Sequence, residues 1–148
     1  MDKHYLSPLE LLNLANLHAY SADNLLGNDA EINIRGLGNF DTFYPCISLM
    51  YLAFELILKA YLLHEDNKNN QYKNLLELLE MTGDLNIANE DIHLLKKLSK
   101  AYAFRKGLDY ELFEERAQLQ GFCIEIIKLY TRFQELLPLE LHPDYQNP

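Results

Sequence analysis

An almost uninterrupted apolar run, from Cys46 to Leu63, is the feature that most constrains how this chain of 148 residues can fold. The run is 18 residues long, a length that suits a membrane span as well as a buried helix. Glu55 and Lys59 stand near its middle, and each charge at the centre of a membrane helix costs roughly 2.5–3.5 kcal/mol. The run therefore predicts a helix over residues 44–64 that other helices cover, and no membrane partner.

Four further helices are predicted from caps and from apolar residues at helical spacing. Ser7, Pro8 and Glu10 make a capping box with proline at the first helical position, so a helix begins there. Gly27 ends this first helix, and Pro138 ends the last one. The predicted helices are residues 8–26, 44–64, 72–81, a fourth from residue 89 to the turn at Gly107, and 110–137.

This helix pattern predicts an all-α fold, an up-and-down antiparallel bundle of about five helices. A composition with only 6 glycines and no tryptophan, in which leucine dominates, agrees with helices. A chain of 148 residues has the length of one domain. We expect residues 1–137 to form that domain and residues 138–148 to form an extended C-terminal tail.

Charge and cysteine content narrow the possible partners and the compartment. The net charge of −9, from 13 basic and 22 acidic residues, opposes non-specific contact with phosphate backbones, so we expect no DNA partner. Cys46 and Cys123 are far apart in apolar segments, which predicts isolated buried thiols in a reducing compartment, without a disulfide framework. Residues 1–7 are polar and show no signal peptide, so we expect a cytoplasmic location.

Polar residues inside the apolar helices are the candidates for function. Ser48, Glu55 and Lys59 lie on one line of the central helix, and Glu55 stands four residues before Lys59 in the favoured order for an ion pair. Arg105 extends the apolar stripe of the fourth helix and can reach an acid on a neighbouring helix. One interpretation is a structural ion pair where helices meet, and the other is a polar cluster that lines a cleft or a dimer seam.

Other chemistry has little support in the sequence. No histidines stand three or four residues apart with a carboxylate suited to a metal, and no motif for a cofactor is present. We therefore expect neither a metal nor a cofactor.

The central helix also carries a resemblance to a known family. Its run from Leu49 to Leu63 contains Glu55 and Lys59-Ala60 within apolar residues, and it resembles the second helix of HEPN (higher eukaryotes and prokaryotes nucleotide-binding) domains. The leucines of residues 75–79 resemble the short third helix of that family. Residues 102–105, a glycine turn and a long closing helix resemble the remainder, so the resemblance covers roughly residues 44–137.

The resemblance implies an antiparallel helical bundle that forms a homodimer. Many HEPN proteins are metal-independent ribonucleases of toxin, defence or RNA-processing systems, and an Arg followed after four to six residues by a His forms their active site. In this chain Tyr110 stands where the His after Arg105 is needed. A tyrosine, with an ordinary pKa of ~10, is a poor general base near neutral pH.

The departure from the family motif favours a binding protein over an enzyme. We expect a non-catalytic, HEPN-like homodimer that binds a nucleotide, RNA or a partner protein, in a toxin–antitoxin or defence context. The predicted binding residues are Ser48, Glu55, Lys59, Arg105 and Tyr110. One alternative is a metal-independent ribonuclease with a degenerate site, in which Tyr110 replaces the His. Another is a plain helical protein–protein interaction module.

Overall fold

A computed structural model describes residues 6–27, 43–65, 73–104 and 116–142. These ranges contain five α-helices and no strand, which confirms the predicted all-α helical bundle. The helices are α1 (Pro8–Gly27), α2 (Phe43–His64), α3 (Leu75–Met81), α4 (Asn89–Phe104) and α5 (Arg116–Phe133). Three short 3₁₀ helices follow α3 and α5: Gly83–Leu85, Gln134–Leu136 and Leu139–Leu141.

Capping boxes determine where α1 and α3 begin. The backbone N–H of Glu10 donates to Ser7 Oγ, and the N–H of Ser7 donates to Glu10 Oε1, both at 3.1 Å, as predicted. Asn74 and Glu77 form the same box at α3, with distances of 3.0 and 3.3 Å. The third helix therefore begins at Leu75, three residues later than predicted, because the Asn74 side chain satisfies a free N–H of its first turn.

Helix α2 lies at the centre of the bundle, since it contacts α1, α3, α4 and α5. Phe54 is fully buried at its middle and packs edge-on against Tyr130 and Phe133 of α5, with ring centroids 5.4 and 5.7 Å apart. Ala15, Ala19 and Ala22 are buried on the inner face of α1, and their small side chains allow α1 to pack close to α2.

The contacts between elements give the direction of each helix. Cys123 of α5 meets Phe43 at the start of α2, and Phe133 meets Phe54 further along both helices. Helices α2 and α5 therefore run in the same direction.

Helix α4 runs the opposite way to α5. Asp91, near the start of α4, pairs with Arg132 near the end of α5, with 3.1 Å between the carboxylate and the guanidinium. Lys97, further along α4, lies over the ring of Phe122. Among the long helices, α2, α4 and α5 thus alternate in direction, as in an up-and-down bundle.

The short helix α3 departs from this alternation. Leu75 at its start contacts Tyr51, and Asp84 just after its end contacts Tyr61. Helix α3 therefore runs in the same direction as α2.

The predicted extended tail is wrong at its beginning. Helix α5 ends at Phe133, and after Pro138 the chain forms the 3₁₀ helix Leu139–Leu141, which contacts α1. Leu141 is only 2% exposed. Because this apolar side chain gains more from the core than from water, residues 138–141 belong to the bundle. Residues 143–148 and the predicted helix start at 110–115 lie outside the described residues.

In the part of the chain that the structure describes, α2 alone is long and apolar enough to cross a membrane by length and composition. Other elements of the bundle bury 61% of its most apolar window. This burial is typical of the core helix of a bundle and agrees with the prediction that other helices cover the run.

Candidate functional site

The predicted pair of Glu55 and Lys59 forms on α2. Lys59 Nζ lies 3.6 Å from Glu55 Oε1, and the two side chains are 19% and 17% exposed. They reach solvent at the edge of a helix that is otherwise largely covered. The pair is therefore partly desolvated, unlike the ion pair of the same spacing between Lys73 and Glu77, whose side chains are 41% and 47% exposed.

Tyr51 adds a third polar group to this line, one turn before Glu55. Its ring is stacked on Tyr102 of α4, with centroids 4.0 Å apart and planes 2° from parallel. Its hydroxyl accepts a hydrogen bond from the backbone N–H of Leu75 at 3.4 Å and also contacts the Glu55 carboxylate. We call Tyr51, Glu55, Lys59 and Tyr102 the polar strip.

The surroundings of Tyr51 keep its hydroxyl protonated. The pKa of Tyr51 is raised to about 12, mainly by burial; the charge of Glu55 and the hydrogen bond to it also raise the pKa, while the hydrogen bond from the Leu75 N–H lowers it. Tyr51 was not among the predicted binding residues. The available signal was its spacing, because Tyr51, Glu55 and Lys59 recur every four residues along one side of α2.

The other predicted binding residues are Ser48, Arg105 and Tyr110. Ser48 donates its hydroxyl to the carbonyl oxygen of Tyr44 at 3.2 Å, so its proton is used within α2. Arg105 and Tyr110 lie outside the described residues, and Tyr102 is the last side chain described before them. The joint role of these three residues with Glu55 and Lys59 stays a prediction.

The polar strip supplies groups for binding. It offers one carboxylate, one ammonium and two phenols, and none of its four residues is a histidine that could exchange a proton near neutral pH. Within the described ranges, no group of three or more His, Cys, Asp or Glu residues could hold a metal ion.

Two further polar contacts hold the bundle together and were not predicted. The Tyr61 hydroxyl donates to Asp84 Oδ2 at 2.6 Å and joins α2 to the 3₁₀ helix Gly83–Leu85. The Tyr130 hydroxyl and the Gln134 amide both donate to Asn16 Oδ1, which ties α1 to the end of α5. Both contacts connect residues that are distant in sequence, and each polar atom is satisfied by its partner.

A groove lies between α3 and α4. Its volume is about 650 Å³, and its lining combines apolar side chains with two lysines and one acid: Leu76, Leu79, Glu80, Ile92, Lys96, Ser99 and Lys100. Leu76 follows Leu75, whose N–H meets Tyr51. The groove therefore lies between the two helices that also contact Tyr51, α3 through the Leu75 N–H and α4 through the Tyr102 ring.

No family model, no curated protein and no solved structure matches this chain. The resemblance to HEPN domains over residues 44–137 therefore stays a prediction from the sequence.

Replacing Lys59 tests whether the ion pair on α2 is desolvated. In Lys59→Met the apolar stem stays and the ammonium is lost, which leaves the partly buried Glu55 carboxylate without its cationic partner. We expect the free energy of unfolding to fall by about 1–3 kcal/mol. Lys73→Met removes an ammonium at the same 3.6 Å distance from a glutamate, and it should cost under about 0.5 kcal/mol. Urea unfolding of both variants at one protein concentration measures the difference, and equal losses would contradict a desolvated pair.

The burial of Tyr51 predicts a loss of stability at high pH. The pKa of Tyr51 is about 12 in the folded protein and ~10 in the unfolded chain. The unfolded state therefore loses its proton first, and the contribution of Tyr51 is complete below pH ~10 and is lost as the pH rises towards 12. Wild type should lose about 1–3 kcal/mol more than Tyr51→Phe over this range. Tyr20→Phe, at an exposed ring, controls for removal of a tyrosine, and parallel curves for wild type and Tyr51→Phe would refute the prediction.

Proposed function

We propose that this chain is a HEPN-like helical bundle that acts as a cytoplasmic homodimer by binding a phosphate-bearing ligand, a nucleotide or RNA, rather than by catalysis. The polar strip on α2 and α4, together with Arg105 and Tyr110, forms the binding site.

The Glu55–Lys59 pair supports this proposal more than any other observation. Both charges sit on the most buried helix and are less than one fifth exposed. Desolvating them costs free energy that apolar residues of the same size would not cost. A charged pair beside stacked aromatic rings also has the composition of a ligand site, in which a few polar groups orient a ligand against apolar walls.

Positive charge near the strip favours a phosphate-bearing ligand. Lys96 and Lys100 line the groove between α3 and α4, the two helices that contact Tyr51, and Arg105 follows α4 in sequence. A guanidinium binds phosphate oxygens with two parallel hydrogen bonds whatever residue follows it. The net charge of −9 repels long nucleic acids, so a nucleotide or a short single-stranded RNA suits the site better than DNA.

The absence of catalysis follows from the residue at position 110. Tyr110 can donate a hydrogen bond to a phosphate but does not accept a proton readily near neutral pH. General-base catalysis contributes typically 10²–10⁴-fold to rate, so a site without the His should not turn over.

Binding and cleavage of RNA test the proposal together. We expect a short mixed-sequence RNA to bind wild type and to bind Arg105→Ala about tenfold more weakly, since one charge-assisted contact to phosphate is lost. Lys128→Ala, at an exposed lysine of α5, removes the same charge elsewhere and should bind like wild type. No cleavage should occur in single-turnover assays with or without divalent metal.

Each other outcome points to an alternative. Cleavage by wild type that disappears in both Tyr110→Phe and Arg105→Ala would establish a ribonuclease with Tyr110 in the place of the His. RNA or nucleotide binding that is absent, or equal in all variants, would leave the protein–protein interaction module.

The outer face of α1 supports a homodimer. Opposite its buried alanines, α1 carries Leu9, Asn13, Leu17, Tyr20 and Asn24, none of which is charged. Leu17 and Tyr20 are 62% and 71% exposed. Two copies that each carry a charge of −9 repel one another, so a neutral apolar face is the surface on which they associate at least cost. A two-fold axis would place one α1 against the other.

Charging this face should separate the dimer. By light scattering at micromolar concentration, wild type is expected to have twice the single-chain mass of 17.3 kDa. The double variant Leu17→Glu, Tyr20→Glu is expected to have a mass near that of the single chain. In this variant the two introduced charges of one copy would face the same charges of the other copy across the two-fold axis. Ile124→Glu, at an exposed apolar residue of α5, should stay dimeric. A wild-type mass near 17.3 kDa would exclude the dimer, and a dimeric double variant would exclude the α1 face.

A further inference from the structure

The protein's two cysteines, Cys46 and Cys123, lie together in the core, although the sequence reading expected isolated thiols. Cys46 lies in the first turn of α2, Cys123 lies in α5, and both are fully buried. The sulfur of Cys123 is 3.7 Å from the carbonyl oxygen of Phe43, one turn before Cys46. It is also within hydrogen-bonding reach of the Cys46 thiol. The expectation of buried thiols is confirmed, and the expectation that they are isolated is wrong.

This contact changes the chemistry of Cys46. The hydrogen bond from Cys123 stabilises the thiolate and lowers the pKa of Cys46, an effect that outweighs burial and the Asp23 carboxylate, which both raise it. The thiolate is the form of cysteine that attacks oxidants and disulfides. Two thiols in contact are the starting arrangement for a disulfide. Because both are fully buried, peroxide reaches them when α2 and α5 separate locally, so their oxidation should be slower than that of an exposed cysteine.

We propose that Cys46 and Cys123 are a redox-modifiable pair, which hydrogen peroxide converts into an intramolecular disulfide between α2 and α5. The Cys46 thiolate attacks one peroxide oxygen, the O–O bond breaks, and the hydroxide that leaves takes up a proton to become water. Cys123 then attacks the sulfur of the resulting sulfenic acid, the S–O bond breaks, and a second water leaves with the Cys123 proton. In total, two thiols and one peroxide give one disulfide and two waters.

The disulfide would fasten the two helices that run in the same direction. It would close a chain segment that contains α3 and α4, and long closed loops gain the most from a cross-link in the chain-entropy description. The pair is near the start of α2, whereas the polar strip begins at Tyr51, and its oxidation is independent of the proposed ligand.

Oxidation of the full chain tests the pair. Reduced protein is treated with a moderate excess of hydrogen peroxide, then denatured and alkylated, and its intact mass is measured. We expect a mass lower by two hydrogen atoms, no alkylated cysteine, and a linked peptide that contains both Cys46 and Cys123. The melting temperature should rise by on the order of 5–15 °C and return after treatment with a reductant.

Single variants separate the two steps. In Cys123→Ser the thiol of Cys46 should stop at a sulfenic acid that dimedone traps, and in Cys46→Ser the thiol of Cys123 should stay reduced. The proposal is overturned if both wild-type thiols stay free after an exposure to peroxide many times longer than that which consumes a cysteine-containing peptide in the same solution. Oxygen addition at each cysteine without a link, or links only between molecules, would overturn it equally. The wild-type masses decide even where a variant does not fold.

Discussion

The burial of α2 is the constraint on which the rest of the structure depends. Exposure of apolar surface to water is unfavourable, so a helix that is apolar over most of its circumference needs neighbouring helices on several sides. Helices α1, α3, α4 and α5 all contact it. The aromatic contacts of Phe54 with Tyr130 and Phe133 secure α5, and the stack of Tyr51 on Tyr102 secures α4.

Polar contacts then decide how these helices are placed along and around α2. Hydrophobic burial is not directional, so it leaves rotation and register open. The partly buried hydrogen bonds of Tyr61 to Asp84 and of Tyr130 and Gln134 to Asn16 restrict that freedom, because each forms only when its two elements are in register. The Glu55–Lys59 pair differs from these contacts, since both of its partners belong to one helix.

The helices were predictable because their signals are local. The box of Ser7 and Glu10, the stop at Gly27 and the buried stripe of α5 act within a few residues, and the structure agrees with them. The start of α3 was not predicted correctly, because the asparagine cap lies inside an apolar pattern that suggests an earlier start. The burial of Leu141 was not predicted, because the proline before it does not show whether the chain returns to the core. For the site, helical spacing predicted the Glu55–Lys59 pair. The stack of Tyr51 on Tyr102 and the contact of the two thiols depend on how separate helices approach each other, which no local pattern contains.

The return of the C-terminal segment to α1 has a consequence for how the chain folds during synthesis. Tyr130 meets Asn16 across most of the sequence, and the 3₁₀ helix Leu139–Leu141 packs on α1. A nascent chain that contains only α1 and α2 can form a local hairpin, yet the side of α2 that α5 covers stays exposed until residues beyond 130 have left the ribosome. During that interval the growing chain presents one of its most apolar surfaces to water, and such surfaces attract chaperones and promote aggregation. The burial that stabilises the folded bundle therefore makes its folding depend on α5, which is synthesised after α1 to α4.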